Sequence, residues 1–115
     1  MVLALASDLF FGARIRETAR QLGVACEIVK APAALLERAA GARVIIVDMS
    51  LRAGDPAAAV RALKADERTR SIPIVGYLFD SDEEGIKAAR AAGCDKVLSR
   101  GGLTQKLADI VGKAA

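Results

Sequence analysis

The stretch Val44-Ile45-Ile46-Val47-Asp48, followed after a short loop by Asp55-Pro56, decides the fold. Four consecutive β-branched residues leave no polar face for water, so they predict a strand covered on both sides, as the central strands of parallel sheets are. Asp55 offers a side-chain oxygen to the unpaired N–H groups of a following helix, and Pro56 fits the first turn, where no amide proton is needed. Strand, loop and helix in that order put Asp48 at the carboxyl edge of the sheet, where open α/β proteins place their chemistry. The functional reading turns on this carboxylate.

The same alternation extends in both directions. Upstream, Val2 to Ala6 reads as a strand, and Phe11, Ile15, Ala19 and Leu22 recur at helical spacing until Gly23. Val24 to Val29 is a second strand, and Ala33 to Ala40 a short helix with Leu35, Leu36 and Ala39 predicted inward. Downstream, Val60 and Leu63 form the buried stripe of the helix that Asp55 opens, and Ile72 to Phe79 reads as a strand with Pro73 tolerated near its start. Ser81 and Glu84 have capping-box spacing, which predicts a helix from Asp82 to Ala92 with Ile86 and Ala89 inward and Gly93 as its stop. Lys96 to Ser99 is the fifth strand, and Leu103, Leu107, Ile110 and Val111 line the last helix. Strands alternating with helices and joined by right-handed crossovers predict a three-layer, doubly wound α/β sandwich. Its parallel sheet of five strands has the flavodoxin-like order 2-1-3-4-5.

With 115 residues, 53% of them hydrophobic, the chain is expected to form one domain over residues 1–115. The 17 Lys and Arg against 14 Asp and Glu leave +3, too weak a field to call for nucleic acid, and no helix-turn-helix follows the last helix. The absence of histidine removes histidine metal ligands, histidine general bases and triads built on them. Cys26 and Cys94 form neither a CxxC pair nor a disulfide framework, so they read as reduced thiols. The order 2-1-3-4-5 separates their strands by four intervals of about 4.8 Å, beyond a disulfide's reach. An alternative makes Cys94 the nucleophile of a small thiol or phosphotransfer enzyme. The loop Ser7-Asp8-Leu9-Phe10-Phe11-Gly12 lacks both GxGxxG and a Walker lysine, which argues against a nucleotide. No basic leader precedes the apolar start, and no run reaches the roughly 20 apolar residues of a membrane span. The expectation is a soluble, cytoplasmic protein without membrane contact.

Three strand ends carry chemistry. In the order 2-1-3-4-5 the first and third strands are neighbours, so Asp8 and Asp48 should approach one another and require a cation, a proton or a basic side chain between them. Asp8, Asp48 and the Ser50 backbone carbonyl are candidate oxygen ligands for a hard divalent ion, while Asp8 is equally a candidate cap for the helix from Leu9. Arg100 follows the fifth strand. Phe10 and Phe79, beside strand ends, are candidates for a docking patch, and Phe11 for the core.

From residue 2 to residue 112 the chain resembles the receiver domains of bacterial two-component signalling. Val47-Asp48-Met49-Ser50-Leu51-Arg52-Ala53-Gly54-Asp55-Pro56 is similar to the segment that carries the family's phosphorylated aspartate. Ile72-Pro73-Ile74-Val75 and Gly93-Cys94-Asp95-Lys96-Val97-Leu98-Ser99 are similar to its fourth strand and to the turn into its fifth. The resemblance implies that Asp48 is the phosphoacceptor, taking a phosphoryl group from a histidine kinase, a phosphotransfer protein or a small phosphodonor. It implies Mg2+ at Asp8, Asp48 and the Ser50 carbonyl, and Arg100 as phosphate clamp in place of the usual lysine. It also implies a signalling surface on the fourth helix, fifth strand and fifth helix that docks a downstream protein or a second copy.

The departures are as specific as the matches. The family's paired acids fall on Ser7 and Asp8, its hydroxyl residue after the fourth strand on Leu78, and the proline after its lysine on Gly101. The proline usual four residues after the phosphoacceptor is Arg52. Leu78 cannot hydrogen-bond a phosphoryl oxygen, so the pull that converts phosphorylation into a loop shift has no handle. Two readings stand open: phosphoryl acceptance on Asp48, and a phosphorylation-independent interaction module of receiver-like shape.

Overall fold

Strands β1 (Val2–Leu5), β2 (Cys26–Val29), β3 (Val44–Asp48), β4 (Ile74–Leu78) and β5 (Lys96–Ser99) alternate with helices α1 (Leu9–Gln21), α2 (Pro32–Arg38), α3 (Pro56–Ala65), α4 (Glu83–Ala92) and α5 (Arg100–Gly112). This computed structural model describes residues 1–115 apart from Ala53, Asp80, Ser81, Asp82 and Ala115. The sheet order is β2-β1-β3-β4-β5 with every pairing parallel, as the alternation predicts. The register sets Leu5 beside Val47, Asp48 beside Tyr77, and Leu78 beside Ser99.

Because successive side chains of a strand point to opposite faces, β3 feeds two cores. Ile45 and Val47 pack with Leu35, Val60 and Leu63 under α2, α3 and α4, whereas Val44 and Ile46 pack with Ile15, Leu103 and Leu107 under α1 and α5. Each fully buried side chain of this size contributes roughly 1.5–3 kcal/mol. β1, β3 and β4 are buried from end to end, which explains why their sequences carry no alternation of polar residues. Asp48 continues the row of Val44 and Ile46, so it emerges on the α1/α5 side together with Tyr77.

Local chemistry fixes the ends of the elements. The Asp55 carboxylate accepts from the Ala58 N–H at 3.0 Å with Pro56 first in α3, and the Ser99 hydroxyl accepts from the Gly102 N–H at 3.0 Å to open α5. At the amino edge the Lys64 ammonium donates to the Arg70 and Ile72 carbonyls and, at 2.8 Å, to the Asp95 carboxylate, which also accepts from the Ile74 N–H at 2.7 Å. That four-way latch aligns the starts of β4 and β5 under the end of α3.

Several boundaries and facings differ from the sequence reading. Leu22 and Leu36 are 45% and 43% exposed rather than inward: Leu22 is the cap of α1, beyond its last helical turn, and α2 is too short to wrap a second leucine under the sheet. The Val24 N–H donates to the Ala19 carbonyl, closing α1, so β2 starts at Cys26. Ile72 is held in a turn through Thr69, which delays β4 to Ile74. Pro32 opens α2, one residue ahead of the expected start. The Ser81 half of the expected capping box lies outside the described residues; Ala89 is buried and Ile86 half-buried, as expected. No helix among the described residues is long and apolar enough to cross a membrane.

Candidate functional site at the carboxyl edge

Asp8 follows the end of β1 and has two partners. One carboxylate oxygen accepts from the Phe10 N–H at 2.9 Å, capping α1, and the other meets the Arg100 guanidinium at 2.9 Å. The helix cap and the ion pair at the edge therefore fall on the same residue, as the capping reading of Asp8 expects, with Arg100 rather than a metal on its second oxygen. Ser7, in the position of the family's other acid, is exposed.

Asp48 ends β3 and is only 1% exposed. Its Oδ1 accepts from the Ser50 N–H at 2.9 Å, and its buried Oδ2 has no hydrogen-bond partner among the described residues. Burial raises the Asp48 pKa, the Ser50 hydrogen bond and the Arg100 charge pull it back down, and the neighbouring Asp8 charge raises it further. Beside it on β4 lies Tyr77, fully buried, its hydroxyl also without a partner among the described residues and its pKa raised by desolvation and by the Asp48 and Asp8 charges.

Arg100 opens α5 and reaches across the edge. Its guanidinium carbon stands 4.2 Å from the centre of the Phe79 ring and 5.5 Å from that of Phe11, and Phe11 in turn stacks on Tyr77 at 4.7 Å. The Phe79 N–H donates to the Ser50 hydroxyl at 3.2 Å, which ties the exit of β4 to the exit of β3. Leu78, in the place of the family's hydroxyl residue, is buried.

The structure thus gathers Asp8, Asp48, Ser50 and Arg100 at one edge, with Arg100 directed to Asp8 and Phe79. A hard divalent ion asks for several oxygen donors and an excess of negative charge. Here Asp8 has both oxygens engaged, Asp48 retains one, and among the described residues no three His, Cys, Asp or Glu gather into a metal-binding group. As arranged, this donor set does not fit a resident divalent ion.

Phe10 and Phe11 part company as expected: Phe11 is core, whereas Phe10 is 85% exposed at the rim of a groove between α1 and α5 that Arg14, Arg100 and Thr104 also line. Cys94 is buried over Gly76, its sulfur 3.9 Å from that of Met49, and burial pushes its thiol up to about 11. A thiol in that state is a poor nucleophile. The sequence reading missed the stacking of Phe79 on Arg100 and the place of Tyr77 beneath the site. The available signal was the register of strand ends, which sets Tyr77 opposite Asp48.

No family model and no curated protein sequence matches the chain. Solved structures do. The chemotaxis response regulator CheY4 of Vibrio cholerae superimposes with a TM-score of 0.82 at 20% identity, over 99% of this chain and 97% of that one. A response regulator from Chloroflexus aurantiacus reaches 0.84 at 17% identity, over 96% and 95%. The receiver domain of a sensor histidine kinase from Pseudomonas aeruginosa, which holds a magnesium ion in its active-site cleft, reaches 0.79 at 21% identity, over 96% of each chain. Strand order, helix placement and these superpositions agree that the chain has the fold of a response-regulator receiver domain.

Proposed function

We propose that the chain is a receiver-type signalling module of the cytoplasm that acts by docking on a protein partner, without turning over a small molecule. The state of Asp48 carries this reading. By the resemblance it matches the phosphoacceptor, but it is buried, Leu78 lies where a hydroxyl would donate to a phosphoryl oxygen, and its basic neighbour is drawn to Asp8 and Phe79. The surface of α4, β5 and α5, with Lys96 and Ser99 exposed, is the proposed docking face for a downstream protein or a second copy. Phe10 and Phe79 add apolar contacts beside the edge.

One observation favours a second reading, phosphoryl acceptance: Asp48 keeps an unpartnered oxygen. In that reading Oδ2 attacks the phosphorus of a phosphohistidine on a histidine kinase or phosphotransfer protein, the P–N bond breaks, and the imidazole leaves with the electron pair. Arg100 would then leave Asp8 to grip the phosphoryl oxygens in its fork. Incubation with acetyl phosphate and magnesium chloride, followed by intact-mass measurement of wild type and Asp48→Ala, separates the readings. Docking without phosphorylation predicts identical masses before and after. A gain of one phosphoryl group by wild type alone establishes the second.

A further inference from the structure

We infer that the Arg100 guanidinium is the resident cation of the carboxyl edge, doing from within the chain the charge-balancing work that a divalent ion would otherwise do beside Asp8 and Asp48. Two carboxylates on adjoining strands need compensation, and Asp48 presents a buried, unpartnered Oδ2 to the same space. Arg100 sits where a cation is least expected on helix grounds. It is the first residue of α5, whose amino-terminal dipole repels positive charge, and no acidic residue lies in that first turn. What holds it there comes from elsewhere in the fold: Asp8 at 2.9 Å and the faces of Phe79 and Phe11. A planar, weakly hydrated guanidinium suits a site that is ionic on one side and aromatic on the other better than an ammonium does.

The same contacts run as a chain along the edge from Asp8 to Asp48. Arg100 holds Phe79, the Phe79 N–H holds the Ser50 hydroxyl, and the Ser50 N–H holds Asp48. The exits of β1, β3, β4 and β5 are therefore fastened to one another by the chain's own groups. This deepens the docking reading, because an edge fastened by its own side chain presents one surface whether or not magnesium is at hand.

Tyr77 is the one tyrosine of a chain without tryptophan, and the charges of Asp48, Asp8 and Arg100 all act on its hydroxyl, so its emission reports on the site directly. Magnesium chloride titrated to about 20 mM should leave wild-type tyrosine emission and melting temperature without a saturable change. Arg100→Ala should melt lower and regain about 4 °C or more on adding magnesium, with a saturable change in Tyr77 emission, because the ion now has two uncompensated carboxylates to bind. Arg100→Gln, which keeps much of the packing, should gain the same response. The double variant Arg100→Ala/Asp8→Asn should lose it. A saturable magnesium response in wild type overturns the inference, as does its failure to appear in both Arg100 variants, an unfolded variant that magnesium does not restore included. Neither result bears on whether the α4–β5–α5 face docks, which the Asp48 mass measurement and binding assays address separately.

Discussion

At the scale of single residues, the cost of the site is concentrated in Asp48. Burial raises its pKa above that of the unfolded chain, so the neutral form favours folding. The associated stability is fully present below the unfolded pKa and is lost as pH rises through the folded one. Asp48→Asn keeps an oxygen for the Ser50 N–H and removes the buried charge. It should melt about 2–6 °C above wild type at neutral pH, and the difference should close below about pH 4. Paired thermal melts across that range check it; equal melting temperatures at neutral pH would mean that Arg100 fully offsets the burial. Asp48 was legible in the sequence because one carboxylate at the end of an apolar run has few structural explanations. The direction of Arg100 was not, because it depends on Phe79, whose position rests on where β4 ends.

Among the elements, β4 is closely packed at its middle. Gly76 lies in its middle, and a Cβ there would stand 2.9 Å from the Cys94 sulfur and 3.0 Å from Met49 Cγ. Cys94 is a short, buried side chain already against Met49, so Gly76→Ala should destabilise the protein by about 1–3 kcal/mol, read from urea denaturation. Combining it with Cys94→Ala should recover part of that loss, because the added methyl then has room. Elements whose ends are set by local chemistry were readable in advance: Asp55-Pro56 opens α3 where expected, and β3 ends on Asp48. Those set by tertiary contacts were not. Ile72 looks like strand, yet its turn through Thr69 and the Lys64 latch on its carbonyl keep it out of the sheet. Leu36 matches a buried helical position in sequence, but Leu35 and Ala39 are the residues that the short helix α2 and its cap bury, and Leu36 is left 43% exposed.

For the whole molecule, the order β2-β1-β3-β4-β5 puts Cys26 on one outer strand and Cys94 in the turn that leads into the other, and both thiols are free. Burial raises both above their ordinary value, Cys94 to about 11. With native protein at neutral pH, a thiol reagent should label Cys26 first and Cys94 only at the rate of unfolding, and non-reduced peptide mapping should find no link between them. Fast labelling of Cys94 would place it at an open surface. The sheet order itself was legible because uniform apolar strands and right-handed crossovers leave few alternatives. Pairing across the molecule leaves no such trace, and Asp8 with Arg100 is the clearest case. They are 92 residues apart, so Asp8 and Asp48 leave the ribosome well before their counter-charge exists. At about 5–20 residues per second the wait is roughly 5–20 s for Asp8 and about half that for Asp48. The carboxyl edge is thus the last part of the protein to mature during synthesis, and a ribosome stalled before α5 would hold a nascent sheet whose acids face each other unshielded.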